Sequence, residues 1–172
     1  MDQVREQIAA SYRRDAAALA GFLSGADLSS LAKHSEGTRW SNEQLLFHMV
    51  FGYMVVRALI PLVHLLIKCP PWIRSAFCAV LNSGTRLFHP VNYLGSCAAA
   101  TVYNHRRMRT RLERTQAAIL AKLATEDIAD LQRCVDFPRR WDPFFHERMS
   151  LADVYAYPSL HFAFHARQLS LP

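Results

Sequence analysis

Apolar side chains recur along this chain at every third and fourth position, and no stretch alternates apolar with polar residues long enough to suggest a sheet. The pattern predicts an all-α protein. The first helix runs from about Asp2, an N-cap candidate, to about Leu23, with Val4, Ile8, Tyr12, Ala16, Leu19 and Leu23 on one stripe and Gly25 ending it. The second starts at Ser41, where Ser41-Asn42-Glu43-Gln44 has the reciprocal pattern of a capping box, and Trp40 just ahead can staple it against the body of the fold. It continues through a nearly unbroken apolar stretch to Ile67, with Pro61 expected to kink or end its regular part.

Pro70, Pro71, Gly84, Pro90 and Gly95 punctuate the next stretch, from Lys68 to Cys97, which reads as irregular with room for one short helix at about Trp72 to Leu81. That is long for a link between antiparallel neighbours, so it suggests a crossover. A third helix, Cys97 to Ala124, carries Met108, Leu112, Thr115, Ile119 and Leu123 on its buried stripe. After a short turn of helix at Glu126 to Arg133 and a loop at 136–143, the fourth helix begins at Ser150, with Asp153 in place of the usual Glu or Gln of a capping box. Pro158 should bend it ahead of His161 and leave the Val154 and Tyr155 carbonyls without their usual partners. Four main helices with no internal repeat give a four-helix bundle.

At 172 residues and 51% apolar content the chain is expected to form one domain, 1–172, with a sizeable core. Leu45 to Ile67 is apolar enough and nearly long enough to span a bilayer, but Arg57 sits at its centre and no positive flank marks a cytoplasmic side. It reads as a helix buried in a soluble bundle, with a membrane span as the lesser alternative. The N-terminus lacks the basic and apolar blocks of a signal peptide, and Cys69, Cys78, Cys97 and Cys134 include no Cys-x-x-Cys pair. Reduced thiols in a cytoplasm fit best.

The net charge of +6 and the cluster Arg106, Arg107, Arg109, Arg111 and Arg114 raise a second functional class: a non-catalytic bundle with a basic face for a partner or nucleic acid. Glu113 interrupts that run, and no helix-turn-helix or zinc-finger motif accompanies it. Nucleic acid is therefore not the expected partner.

His161 and His165 carry the sharper chemistry. Four residues apart on a helix, they share one face and can serve one metal ion. His48 is the best third ligand, because it lies about two turns after the start of the second helix while the pair lies about two turns before the end of the fourth. Antiparallel packing of those helices would bring all three imidazoles to one level, and the crossover permits it. His64 lies ~24 Å beyond His48 and on a different face. His105 falls off the buried stripe, and His34 is placed in a loop; His89 and His146, also in loops, stay open as residues that fold over the site. Phe162 stands where a zinc protease of the His-Glu-x-x-His kind has its general base, which disfavours that chemistry.

Trp40-Ser41 opening a helix that carries His48, followed by Tyr157-Pro158-Ser159-Leu160-His161-Phe162-Ala163-Phe164-His165-Ala166-Arg167-Gln168-Leu169, resembles the DinB-like (YfiT-like) superfamily over most of the chain. The resemblance implies a four-helix bundle of up-down-down-up topology, with a divalent metal, often nickel or zinc, on His48, His161 and His165. It implies a small-molecule substrate and a low-molecular-weight thiol such as bacillithiol or mycothiol in a transferase or isomerase, or else metal-dependent hydrolysis, and frequently a homodimer. Arg107 and Arg167 are the candidates to hold a thiol's carboxylates. Two features depart from simpler members, the long Lys68 to Cys97 connection and the loop Trp141-Asp142-Pro143-Phe144-Phe145; both can shape a pocket or shield an interface.

Overall fold

The structure, a computed structural model, describes residues 2–171; the side chains of Asp2 and His89 lie outside the described ones. In chain order the elements are α1 (Asp2–Gly25), α2 (Leu28–Ala32), α3 (Asn42–Lys68), α4 (Pro71–Ser83), α5 (Thr85–Val102), α6 (His105–Ala124), α7 (Ile128–Gln132), β1 (Cys134–Asp136), β2 (Arg148–Ser150) and α8 (Leu151–Ala166). The architecture is all-α apart from one small ribbon. Asp2 is the first helical residue of α1 rather than a cap outside it.

Both capping boxes form. Ser41 Oγ accepts from the Gln44 backbone N–H while Gln44 Oε1 accepts from that of Ser41 at 3.0 Å, and Ser150 and Asp153 repeat the exchange at the head of α8. The predicted stripes point inward: Ile8, Tyr12 and Leu19 of α1, and Met108, Leu112, Thr115, Ile119 and Leu123 of α6, are buried. They meet Met49, Tyr53, Val56 and Ile60 of α3 and Val154, Tyr155 and Phe162 of α8 in one core.

Contacts fix how these helices lie. Residues 42, 52 and 53 of the second-helix segment meet 170, 161 and 159, so numbering rises along α3 as it falls along α8. Residues 43, 54 and 64 meet 105, 111 and 126, rising together along α3 and α6. α8 runs through Pro158 without ending, and three residues before it the Tyr155 carbonyl accepts from the Tyr12 hydroxyl at 2.7 Å.

Four expectations are corrected. Residues 68–97 are not irregular, since α4 and α5 fill nearly all of them. Pro71 sits in the first turn of α4, where a missing N–H costs nothing, and Pro90 is tolerated inside α5, so only Gly84 breaks the run. The helix expected from Cys97 to Ala124 is broken at Tyr103-Asn104, because Glu43 of α3 reaches over to cap α6: its Oε1 accepts from the His105 backbone N–H at 2.9 Å and from the ring Nδ1 at 2.7 Å. Pro61 does not end its helix; α3 continues to Lys68. Finally, β1 and β2 pair antiparallel, Val135 opposite Met149, in strands of three residues that are too short to show alternation.

At the far end of the bundle Glu126 is buried and ties four elements together. Its carboxylate accepts from the Tyr155 hydroxyl at 2.7 Å, faces His64 Nε2 at 2.8 Å and Lys122 Nζ at 3.4 Å, and Arg5 donates to its backbone carbonyl. Burial pushes the Glu126 carboxyl up, but the hydrogen bonds of His64 and Tyr155 and the charge of Lys122 outweigh it and hold the group below its ordinary range. A carboxyl lowered in this way contributes stability that is complete above the ordinary carboxylate pKa and is lost as pH falls through the folded-state value. Glu126→Gln is expected to cost about 2 kcal/mol at neutral pH. Its thermal midpoint, followed by circular dichroism, should also fall less steeply than that of the parent in the acid range; parallel acid profiles would refute this role.

Candidate metal centre

His48 sits in the second turn of α3 and His161 and His165 are one turn apart near the end of α8, so the opposed run of these helices brings the three rings together. Ring centroids are 4.8 Å apart for His48 and His161, 4.9 Å for His48 and His165, and 4.6 Å for the α8 pair. One ring nitrogen from each lies within 4.8 Å of the others, a spacing that a single ion can bridge. Asn42 locks the register: its amide donates to Ser170 Oγ at 3.1 Å and its carbonyl accepts from the Ser170 N–H at 3.1 Å.

Neighbouring residues set the orientation of each imidazole. Gln168 Oε1 lies 2.6 Å from His165 Nδ1 and accepts its hydrogen, which leaves Nε2 as a lone-pair donor. Ser96, buried on α5, is 3.1 Å from His48 Nδ1, and Trp40 stacks on the same ring at 4.4 Å. His161 Nδ1 is buried with no hydrogen-bond partner among the described residues. Its ring occupies space that only a glycine leaves, for a Cβ at Gly52 would stand 2.8 Å from Nδ1.

Burial dominates the electrostatics. It holds His48 down to about 3 and His161 well below the ordinary histidine value; it lowers His165 too, against the opposing hydrogen bond of Gln168. All three rings are neutral near pH 7, the form in which imidazole binds metal. A buried unpartnered nitrogen, a ring-shaped gap at Gly52 and three neutral donors fit a divalent transition metal.

The other histidines lie elsewhere. His64 belongs to the Glu126 network and His105 to the α6 cap, while His34 and His146 are exposed. The side chain of His89 is outside the described residues. His64, Glu126 and Asp130 also offer ligand atoms within 4.8 Å of one another, but Tyr155, His64 and Lys122 already engage the Glu126 carboxylate, and Arg133 pairs with Asp130 at 3.3 Å. That cluster is a satisfied ion-pair network.

Arg107 and Arg167 are both exposed and neither lines the cavity described below; Arg107 donates to the Val102 carbonyl at 3.3 Å, and Arg167 lies 5.8 Å over the Phe164 ring. The basic run is likewise partly engaged, with Arg109 on Glu113 at 2.9 Å and Arg111 over the Tyr103 ring at 5.1 Å. The four cysteines are free thiols and none joins the histidines.

A cavity of about 590 Å³ opens beside the three rings. Phe77, Leu81 and Phe88 from α4 and α5, with Trp141 and Phe145 from the loop, help to wall it, so both segments singled out in the sequence shape a pocket. Trp141 holds the wall together by donating from Nε1 to the Leu81 carbonyl at 2.8 Å and stacking on Phe88 at 4.1 Å. Tyr157 donates to Asp142 at 2.7 Å; burial first, and the Asp142 charge second, push its hydroxyl far above the phenol range, so it stays protonated. Sequence reasoning missed Ser96, Gly52 and Tyr157. Ser96 in particular carries no local signal, being 48 residues from the ring it supports.

No family model and no curated protein sequence matches the chain. Two crystal structures do match in fold: the mycothiol-dependent maleylpyruvate isomerase, at a TM-score of 0.64, and a histidine-to-alanine mutant of it, at 0.65. Each is 13% identical, and the alignments cover 97% and 98% of this chain but 61% of theirs. The chain thus spans about three fifths of the length of those proteins and shares their fold.

Disturbing the neighbours of the rings should weaken metal binding; Gln168→Ala should leave the bundle intact, whereas Gly52→Ala, which places a Cβ 2.8 Å from His161 Nδ1, should also lower the thermal midpoint. Gly52→Ala and Gln168→Ala are each expected to reduce zinc affinity by roughly 10–100-fold. Competition with a chromogenic chelator measures this; parent affinity in both variants would show that these neighbours do not orient the rings.

Proposed function

We propose that this chain is a divalent-metal-dependent enzyme acting on a small molecule, in the first place a thiol-dependent transferase. The observation that carries the reading is the convergence of three neutral, buried imidazoles at the wall of a cavity large enough for a substrate. His48, His161 and His165 would hold the ion; imidazole donors suit a first-row transition metal, and the family resemblance favours zinc or nickel among these. A metal in such a site supplies Lewis acidity that makes a thiol or water nucleophilic near neutral pH.

The chain's own residues do the rest. Ser96 and Gln168 orient two of the rings, and Trp40, stacked on His48, keeps water from that side. Tyr157 lies beside the rings, its centroid 5.7 Å from that of His161; its one hydroxyl hydrogen goes to Asp142, which leaves the phenol oxygen to accept a hydrogen bond from a substrate. Phe162 is buried and no carboxylate follows His161, so a protease-like general base is missing from that position. The isomerase of shared fold is mycothiol-dependent, which favours a thiol co-substrate over hydrolysis by water. We place the protein in a cytoplasm, where its four thiols stay reduced, and read the bundle as up-down-down-up with α4 and α5 forming the crossover; a homodimer belongs to the same proposal.

Elemental analysis of protein purified without a histidine tag tests the reading. One equivalent of zinc or nickel is expected, falling at least tenfold in His161→Ala and in His48→Ala. Metal-free parent protein that takes up none on addition would refute it. With metal present, turnover of an electrophile should require a low-molecular-weight thiol, and thiol-independent turnover would move the assignment to hydrolase.

A further inference from the structure

The cavity runs well beyond the histidines. Gly52, Val55, Leu59, Leu62 and Leu66 follow His48 at helical spacing and all line it, so one face of α3 forms its wall from 48 to 66, a length of about 27 Å. Opposite stand Phe77, Leu81 and Phe88. The space is therefore long relative to its volume of about 590 Å³.

Its polar groups are few: Asn92, Trp40 Nε1 and the histidines line it, and the remaining ones are engaged. Asp136 accepts from Ser75 Oγ at 2.6 Å, Asp142 accepts from Tyr157 and from the Phe144 N–H, and Ser96 is held by His48. No lysine or arginine lines the cavity among the described residues. A multiply charged or heavily hydroxylated ligand would leave polar groups buried without partners. An apolar chain loses nothing there and gains its full hydrophobic transfer energy.

We infer that the ligand of this cavity is an aliphatic amphiphile: a flexible alkyl chain lying along α3, with one metal-seeking head group, a carboxylate or thiol, at the three histidines. The head-group part rests on the metal reading above. The tail part rests on the wall of α3 alone, and the two fail separately.

The test uses the full, metal-loaded chain and displacement of a fluorescent probe, 11-(dansylamino)undecanoate, by n-alkanoates and n-alkanethiols of increasing length. Affinity is expected to rise about fourfold per methylene, then level off when the chain reaches the end of the cavity. Val55→Trp and Leu62→Trp should move the plateau to shorter chains while metal content and thermal midpoint stay at parent values. The parent series decides the matter even where a variant folds poorly. A flat series, or tighter binding of short dicarboxylates than of long monocarboxylates, overturns the inference; with metal still bound, the metal reading survives. A steep series on protein that takes up no metal supports the alkyl chain and overturns the head-group assignment.

Discussion

The close approach of α3 to α8 at Gly52 is the constraint on which the rest depends. His161 fits against α3 only because position 52 lacks a side chain, and that contact fixes how deeply α8 seats. Asn42 and Ser170 then fix the register along the axis, so that His48 meets the pair rather than missing it by a turn. A helical turn is about 5.4 Å, larger than the 4.8 Å that spans the ligand atoms, so a slip of one turn would abolish the constellation. The site is thus a consequence of packing, with each imidazole delivered by a helix that is anchored elsewhere for its own reasons.

The same geometry explains the composition of α3, which by length and hydropathy alone would pass for a membrane span, although only 39% of its most apolar window is buried. A soluble helix usually has one apolar stripe, and one that is apolar all round needs a second apolar surrounding. Here Met49, Tyr53, Val56 and Ile60 face the bundle core, while Val55, Leu59 and Leu62 face the cavity. Arg57 and Pro61 fall between these faces and are exposed, which is why a charge at the centre of the stretch is no strain.

Much of this was legible from residue order. The capping boxes at Ser41 and Ser150 announce two helix starts because their chemistry is local, and the i, i+4 histidines announce a shared face because helical spacing is local too. What escaped was set from a distance. The break at Tyr103-Asn104 has no proline or glycine to mark it and exists because Glu43, 62 residues away, caps the next helix. The run from 68 to 97 misleads for the opposite reason: its prolines look like breakers, but Pro71 stands where a helix tolerates one, and Pro90 is carried inside α5. Ser96 and Gly52 matter only through rings on other helices, and β1 and β2 only through each other.

The division of labour within the site follows from these origins. The three histidine rings are brought together by the seating of α8 on α3, and a bundle that keeps that seat keeps them together. The wall of the cavity that faces α3 comes from α4, α5 and the loop at 136–145, which reach the three rings through Ser96 of α5 and through the loop's hydrogen bond to Tyr157 of α8. Those segments can change length and side chains without disturbing Gly52, Asn42 or the α8 cap. Metal chemistry of the kind proposed would therefore depend on the core, where substitution is costly, whereas ligand choice would depend also on a peripheral wall, where it is cheaper. That separation is how one helical scaffold can share its fold with an isomerase at 13% identity and still present a cavity of its own.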